Sequence, residues 1–337
     1  MLFRIDHETR FTYSEPVIES VMEIRMSPLS NEDQTVLGYK LKVVPSVPIT
    51  EYRDGFGNRV EMFNVMPQHS EILIRASSCT RCHRRSPDRL KNIIHNNTTN
   101  PADEGVFPIA LEAMEFLRYT PLTRPNSEVL RWFATLPPIQ GNNLYESASQ
   151  LMDIVRTKLR YEKQVTTTQS SVAEVIRLGQ GVCQDFTHLF IALARFFAIS
   201  CRYVSGYVHQ AGELATHAWC QIWGGAEVGW VDLDPTRGKW IEDEYIIAAI
   251  GRDYNDVPPN RGVWRGANVR EMIQVNVLVQ IVDKVPNDLL ELTAPAWVQQ
   301  QQQSSERGLN NNSSGLYQQI RRLNYRQQQS QQQQTDR

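Results

Sequence analysis

The chain has 337 residues, 41% of them hydrophobic and 21% charged, which exceeds one average domain and is apolar enough to bury a large core. Its 35 basic residues against 37 acidic ones leave a formal charge of −2, too little positive charge to neutralise many phosphates, so nucleic acid is not an expected partner. Five cysteines, an odd number in a chain of this size, do not make a disulfide framework, and reduced thiols are expected.

In chain order, the first stretch reads as strands and turns: Phe3 to Ile5, Phe11 to Tyr13, the alternating Val21 to Met26, Tyr39 to Val44, and Ser70 to Ala76. Pro16, Pro28, Pro45 and Pro48 punctuate it, as does the Asp54-Gly-Phe-Gly-Asn58 turn. An antiparallel β-sandwich over residues 1–85 is the expectation, with a polar linker over 86–105 that contains Asn96 to Asn100 and Pro101. The pattern then changes to helical spacing at Ala110 to Arg118, Ser127 to Thr135, Leu144 to Leu159 and Val182 to Phe197. Strands return at Cys201 to His209, His217 to Trp223, Trp230 to Leu233 and Met272 to Asp283. Helices and then strands predict an α+β core over 106–285, so the whole chain is α+β. Residues 286–337 form a tail with fourteen glutamines from Gln299 onward, too poor in apolar side chains to offset chain entropy, and disorder is expected there. No apolar run approaches the roughly eighteen residues of a membrane span. Asp6, His7 and Glu8 stand where a secretory leader needs basic and then apolar residues, so a cytoplasmic protein without a membrane partner is expected.

Chemistry concentrates in Leu178-Gly-Gln-Gly-Val-Cys183-Gln-Asp-Phe-Thr-His188. Two glycines end the preceding element, and a helix begins with Cys183 in its first turn, burying Phe186, Phe190, Leu193 and Phe197. The unpaired N–H groups and positive dipole end of that helix favour an ionised sulfur and offer donors to an oxyanion. A thiolate needs a proton shuttle. His217 lies in an alternating strand, and Asp234 ends the next one, so an antiparallel pair can bring the two together. Cys183, His217 and Asp234 then form a triad of nucleophile, general base and acid, and orienting carboxylate. Strand periodicity alone leaves Asp232 as a rival for the third role, since residues two apart share a face.

At these residues the sequence resembles the transglutaminase-like superfamily of papain-related thiol enzymes, in the bacterial form with an N-terminal β domain. The resemblance rests on Gly181-Val-Cys183-Gln-Asp185, Arg202-Tyr-Val-Ser-Gly-Tyr207, His217-Ala-Trp219 and Gly229-Trp230 through Asp234-Pro-Thr236, in the family's order. Gly251-Arg-Asp-Tyr-Asn-Asp-Val-Pro258 resembles the segment downstream of these motifs in bacterial members, while Tyr13-Ser-Glu-Pro-Val17 and Asp54 to Asn58 extend the likeness to the first domain. It implies Cys183 as nucleophile, His217 as base and acid, and Asp234, the aspartate that precedes Pro235-Thr236, as orienting carboxylate. The implied reaction is acyl transfer through a thioester on a protein or peptide substrate. Hydrolysis, as in a cysteine protease, is favoured over amine transfer by a transglutaminase, because nothing here resembles a calcium loop. A non-catalytic peptide-binding scaffold is the third reading; the retained triad argues against it.

Other residues have plainer readings. Cys201 and Cys220 are expected to pack, and Trp219, Trp223 and Trp230 are expected in the core more than in a substrate groove. Asp185 and His188 fit structural roles, and Tyr207 and His209 are placed facing the cleft. Cys79-Thr-Arg-Cys82-His83 matches the short haem-attachment spacing, and with His95 a metal set, but it lacks an export signal and a second ligand pair. No cofactor and no metal are expected.

Overall fold

Strict alternation sets the first strand. β1 (Leu2–Val17) buries Phe3, Ile5, His7, Thr9, Phe11 and Tyr13 and leaves the residues between them half-covered. With β2 (Glu19–Ile24), β3 (Gln34–Val44), β4 (Ile49–Arg53), β5 (Arg59–Val65) and β6 (His69–Cys82) it builds two facing antiparallel sheets. Phe11, Tyr13, Met22, Ile24, Tyr39, Phe63, Ile72 and Ile74 fill the space between them. The computed structural model describes residues 1–94, 111–209 and 216–290; the Gln-rich tail and His95 lie outside the described residues.

The second half starts with α1 (Leu111–Met114), α2 (Ser127–Ala134) and α3 (Leu144–Lys158). Asn126 and Asn143 cap α2 and α3 by accepting from Val129 N and Glu146 N. The short β7 (Arg160–Tyr161) pairs in parallel with β8 (Gln180–Gly181), on either side of α4 (Val172–Leu178). Gly179 ends α4 in the left-handed region, at φ 64°, and returns the chain for α5 (Cys183–Phe196). α5 packs on a five-stranded sheet made of β9 (Cys201–Val208), β10 (Thr216–Trp223), β11 (Trp230–Asp234), β12 (Lys239–Trp240) and β13 (Tyr245–Gly251), in the order β12-β11-β10-β9-β13. Ala218, Cys220, Ile222, Val231 and Leu233 meet Phe186, Phe190 and Leu193 on the helix-facing side. Cys201 and Cys220 are buried there, as their strand positions predict.

Two boundaries differ from expectation. β14 (Asn260–Arg265) pairs with β2, and β15 (Glu271–Ile281) pairs with β1 from Phe3↔Ile281 to Tyr13↔Glu271. These strands complete the N-terminal sandwich as its edge strands, so the predicted core over 106–285 gives up residues 260–281. Trp264 and Val269 pack into the sandwich interior, and Val277 and Val279 pack beside Phe3 and Ile5, which is why the chain returns. The predicted linker over 86–105 begins as a 3-10 turn, Pro87–Asn92, whose Leu90 is buried in the helical core. A final turn, α6 (Asn287–Leu290), lies over β3, with Leu289 against Gly38. No helix among the described residues is long and apolar enough to cross a membrane.

Candidate active site

Cys183 is the first residue of α5. Val182 before it has no side-chain acceptor, and the helix start is secured instead by Asp185, whose Oδ2 accepts from Val182 N at 2.7 Å and from Thr166 Oγ1 at 2.7 Å. A side chain at position 181 would place a Cβ 2.5 Å from that same oxygen, so Gly181 is what lets the carboxylate reach back. Asp185 N and Phe186 N turn to the Val182 carbonyl, which leaves the N–H groups of Cys183 and Gln184 at the mouth of the helix.

β10 delivers His217, and β11 delivers Asp234. The imidazole Nε2 lies 2.7 Å from Asp234 Oδ2, and the Cys183 thiol is a further group that favours the charged ring. Asp234 is wholly buried and saturated: Oδ1 accepts from Thr236 N at 2.9 Å and Arg237 N at 3.2 Å, and Oδ2 also accepts from Tyr245 Oη at 2.8 Å. Burial alone raises a carboxyl, but the bonds from His217, Tyr245 and the Arg237 N–H outweigh it, and Asp234 stays below its usual range. Burial likewise works against a charged imidazole. The bond to Asp234 and the influence of the Cys183 thiol reverse it and push His217 up to about 9.

Asp232, the rival carboxylate, shares the face of Asp234 as periodicity requires but is committed elsewhere. It accepts from Trp219 Nε1 at 2.7 Å, Gln221 Nε2 at 2.9 Å and the buried Arg84 Nε at 3.2 Å. Arg84 enters from the segment after β6, so this network joins the sandwich to the core sheet. Trp219 is fully buried and stacks parallel to His217 at 6.4 Å, a floor under the ring. Gly206 opposite His217 has no Cβ, which would stand 2.5 Å from the Trp219 ring.

Tyr207 and His209 do not face this site, contrary to expectation. The Tyr207 hydroxyl donates to Met26 O at 3.0 Å and meets His7 Nδ1 at 3.0 Å, while His209 lies 5.8 Å from Phe3, ring to ring; both face the sandwich. His188 is buried on α5, accepts from Tyr254 N, and is pushed down to about 3 by burial and Arg195, so it is a neutral packing histidine. Cys79 and Cys82 are buried in β6, and burial raises both thiols; His83 beside them is exposed. Sequence reasoning missed Tyr245 and Arg237, which donates to the Tyr245 hydroxyl at 3.0 Å. The signal for Tyr245 was present: Tyr245 to Ile250 is a short continuous apolar run that reads as a buried strand.

The family model described as bacterial transglutaminase-like N-terminal region matches residues 3–80, and that of the transglutaminase-like superfamily matches residues 137–235, a span that includes Cys183, His217 and Asp234. The two matches identify a transglutaminase-like core behind a bacterial transglutaminase-like N-terminal region. An uncharacterized protein of Mycobacterium leprae is 29% identical over 286 residues, covering 82% of this chain and 97% of that protein. One of Mycobacterium tuberculosis strain H37Rv is 29% identical over 293 residues, covering 82% and 91%. A crystal structure of a candidate cysteine protease from Cytophaga hutchinsonii aligns with TM-score 0.67 at 21% identity over 85% of this chain and 93% of that one, which establishes a shared fold. The superfamily match over residues 137–235 supports a cysteine-dependent enzymatic activity.

Proposed function

We propose that this protein is a thiol acyl-transfer enzyme in which Cys183, His217 and Asp234 attack peptide or glutamine amide carbonyls, with water resolving the thioester. The observation that carries the reading is an imidazole bonded to a buried carboxylate at 2.7 Å, with its charged form favoured further by a thiol at a helix start.

His217 takes the sulfur's proton on Nδ1 and becomes an imidazolium that Asp234 stabilises from Nε2. The thiolate adds to the amide carbon, and the oxyanion is received by the N–H groups of Cys183 and Gln184. As the C–N bond breaks, the imidazolium gives its proton to the departing amine or ammonia, leaving the thioester on Cys183. Water then adds, His217 accepts its proton, and collapse releases the acid and regenerates the thiolate–imidazolium pair. A raised imidazole pKa suits the acid half of this cycle, since the ring holds its proton throughout neutral pH.

Two measurements test the reading. Iodoacetamide at pH 6 is expected to alkylate Cys183 at least tenfold faster than free cysteine, and His217→Ala to abolish that advantage; equal rates sink the proposal. Incubation with peptide substrate and a lysine-like amine then separates free acid from amide product, so that amine incorporation assigns cross-linking in place of hydrolysis.

A further inference from the structure

Four-stranded and five-stranded sheets leave edges, and this molecule closes nearly all of them by identifiable means. β13 is flanked by side-chain amides that mimic a neighbouring strand: Gln34 gives to Ile247 O and accepts from Ile247 N, each at 2.8 Å, and Asn58 does the same for Ile250 at 2.8 Å. β3 carries exposed Lys40 and Lys42 and lies beneath α6. β4, β12 and β14 are short, five, two and six residues, and carry Glu51 and Arg53, Lys239, or Arg261 and Arg265.

β15 has none of these protections. It is eleven residues long, contains no proline, and carries one charge, Glu271 at its start. Among the described residues β1 is its one sheet neighbour, so its outer row of backbone groups faces outward. The register with β1 puts Ile273, Val275, Val277, Val279 and Ile281 on the side of Phe3, Ile5 and Phe11. Ile273, Val275 and Ile281 are nevertheless 49%, 42% and 53% exposed, a core row with nothing among the described residues beyond its rim.

The sequence of β15 says what fits there. Read outward from Val277 it is nearly its own mirror: Asn276 answers Leu278, Val275 answers Val279, Gln274 answers Gln280, and Ile273 answers Ile281. Antiparallel pairing of two identical strands about a two-fold axis sets those residues directly opposite each other. We propose that β15 is the seam at which two copies of this chain join edge to edge, antiparallel about Val277, merging two four-stranded sheets into one of eight. On the core-facing side Val277 meets its own copy, Val275 meets Val279, and Ile273 meets Ile281, so the half-covered row becomes a continuous β-branched strip. Glu271 and Asp283 come opposite at the two ends, outside that strip. Antiparallel registers centred on Val275 or Val279 also keep the apolar row together, but they shorten the seam: the first sets Gln274 against Asn276, the second sets Gln280 against Leu278, and neither opposes Gln274 to Gln280.

The test is the oligomeric state of the full chain by sedimentation velocity, with two variants to fix the seam. Wild type is expected to be a dimer, and Val275→Lys to raise the dissociation constant at least tenfold while circular dichroism stays unchanged. In a Cys183→Ala background, Val277→Cys is expected to form a disulfide-linked dimer on mild oxidation, because opposed Cα atoms fall within bridging range. Met272→Cys is expected not to, since its copies lie about ten residues apart along the seam, about 33 Å. A wild-type monomer at all concentrations overturns the proposal, as does a dimer indifferent to Val275→Lys or equal cross-linking of the two cysteine variants.

Discussion

Asp234→Asn changes one atom of a fully buried group, and its surroundings fix how the amide must sit. Oδ1 receives two backbone N–H groups, so the amide oxygen of the variant takes that place and its NH2 faces His217 Nε2 and the Tyr245 hydroxyl. Two donors then meet unless Nε2 sheds its hydrogen, which moves the proton to Nδ1, the nitrogen that the proposed cycle uses to take the Cys183 proton. The ring can no longer accept from the thiol. The rise of His217 from 6.5 to about 9 corresponds to roughly 3 kcal/mol of preference for the charged ring. Without the carboxylate, burial is opposed mainly by Cys183, and the pKa is expected to fall to 6.5 or below. The advantage of Cys183 in alkylation at pH 6 should disappear with it, and turnover should drop about 10³- to 10⁴-fold, the scale set by a wrong-tautomer histidine. Histidine-selective NMR titration reads the pKa, and alkylation against pH reads the thiolate. A folded Asp234→Asn protein whose His217 still titrates near 9 refutes the reasoning, because some other group would then hold the imidazolium.

Because the folded-state pKa of His217 lies above its unfolded value, its contribution to stability is complete below about pH 6.5 and fades as pH rises through about 9; urea unfolding at pH 6 and pH 10 should show the loss, and turnover should fall over the same upper limb. Arg84→Ala strips the cation from the buried Asp232, leaving Trp219 and Gln221 as its donors, and should cost about 3 kcal/mol in denaturant unfolding while leaving the His217 titration within a few tenths of a pH unit of wild type. Gly181→Ala sets a methyl against the Asp185 carboxylate that caps α5, and a loss of about 1–2 kcal/mol with slower Cys183 alkylation is expected.

The parts of the fold that were legible were those governed by local rules. Glycine punctuation, helical spacing and strand alternation placed Cys183 at the start of α5, and His217 and Asp234 on adjacent strands, within a residue or two. The choice between Asp232 and Asp234 was not local. It depends on Arg84, 148 residues away, which claims Asp232 for the junction between sandwich and core. Tyr207 failed for the same reason: alternation says that a residue points to one side of a sheet and not which neighbour waits there, and Met26 and His7 waited. The return of residues 260–281 to the sandwich carried no short-range signal at all, since a strand's partner is set by register across roughly 200 residues or more.

That return has a bearing on how the protein is made. β1 leaves the ribosome well before β15, since the strand that flanks it along Phe3 to Tyr13 is translated some 270 residues later. Until then one side of β1 and one side of β2 lie open, so the nascent amino-terminal half resembles an aggregation-prone intermediate in need of chaperoning. Excising residues 1–85 for separate expression would freeze it in that unfinished condition, and closure of the whole fold should be a late, slow event dominated by loop entropy.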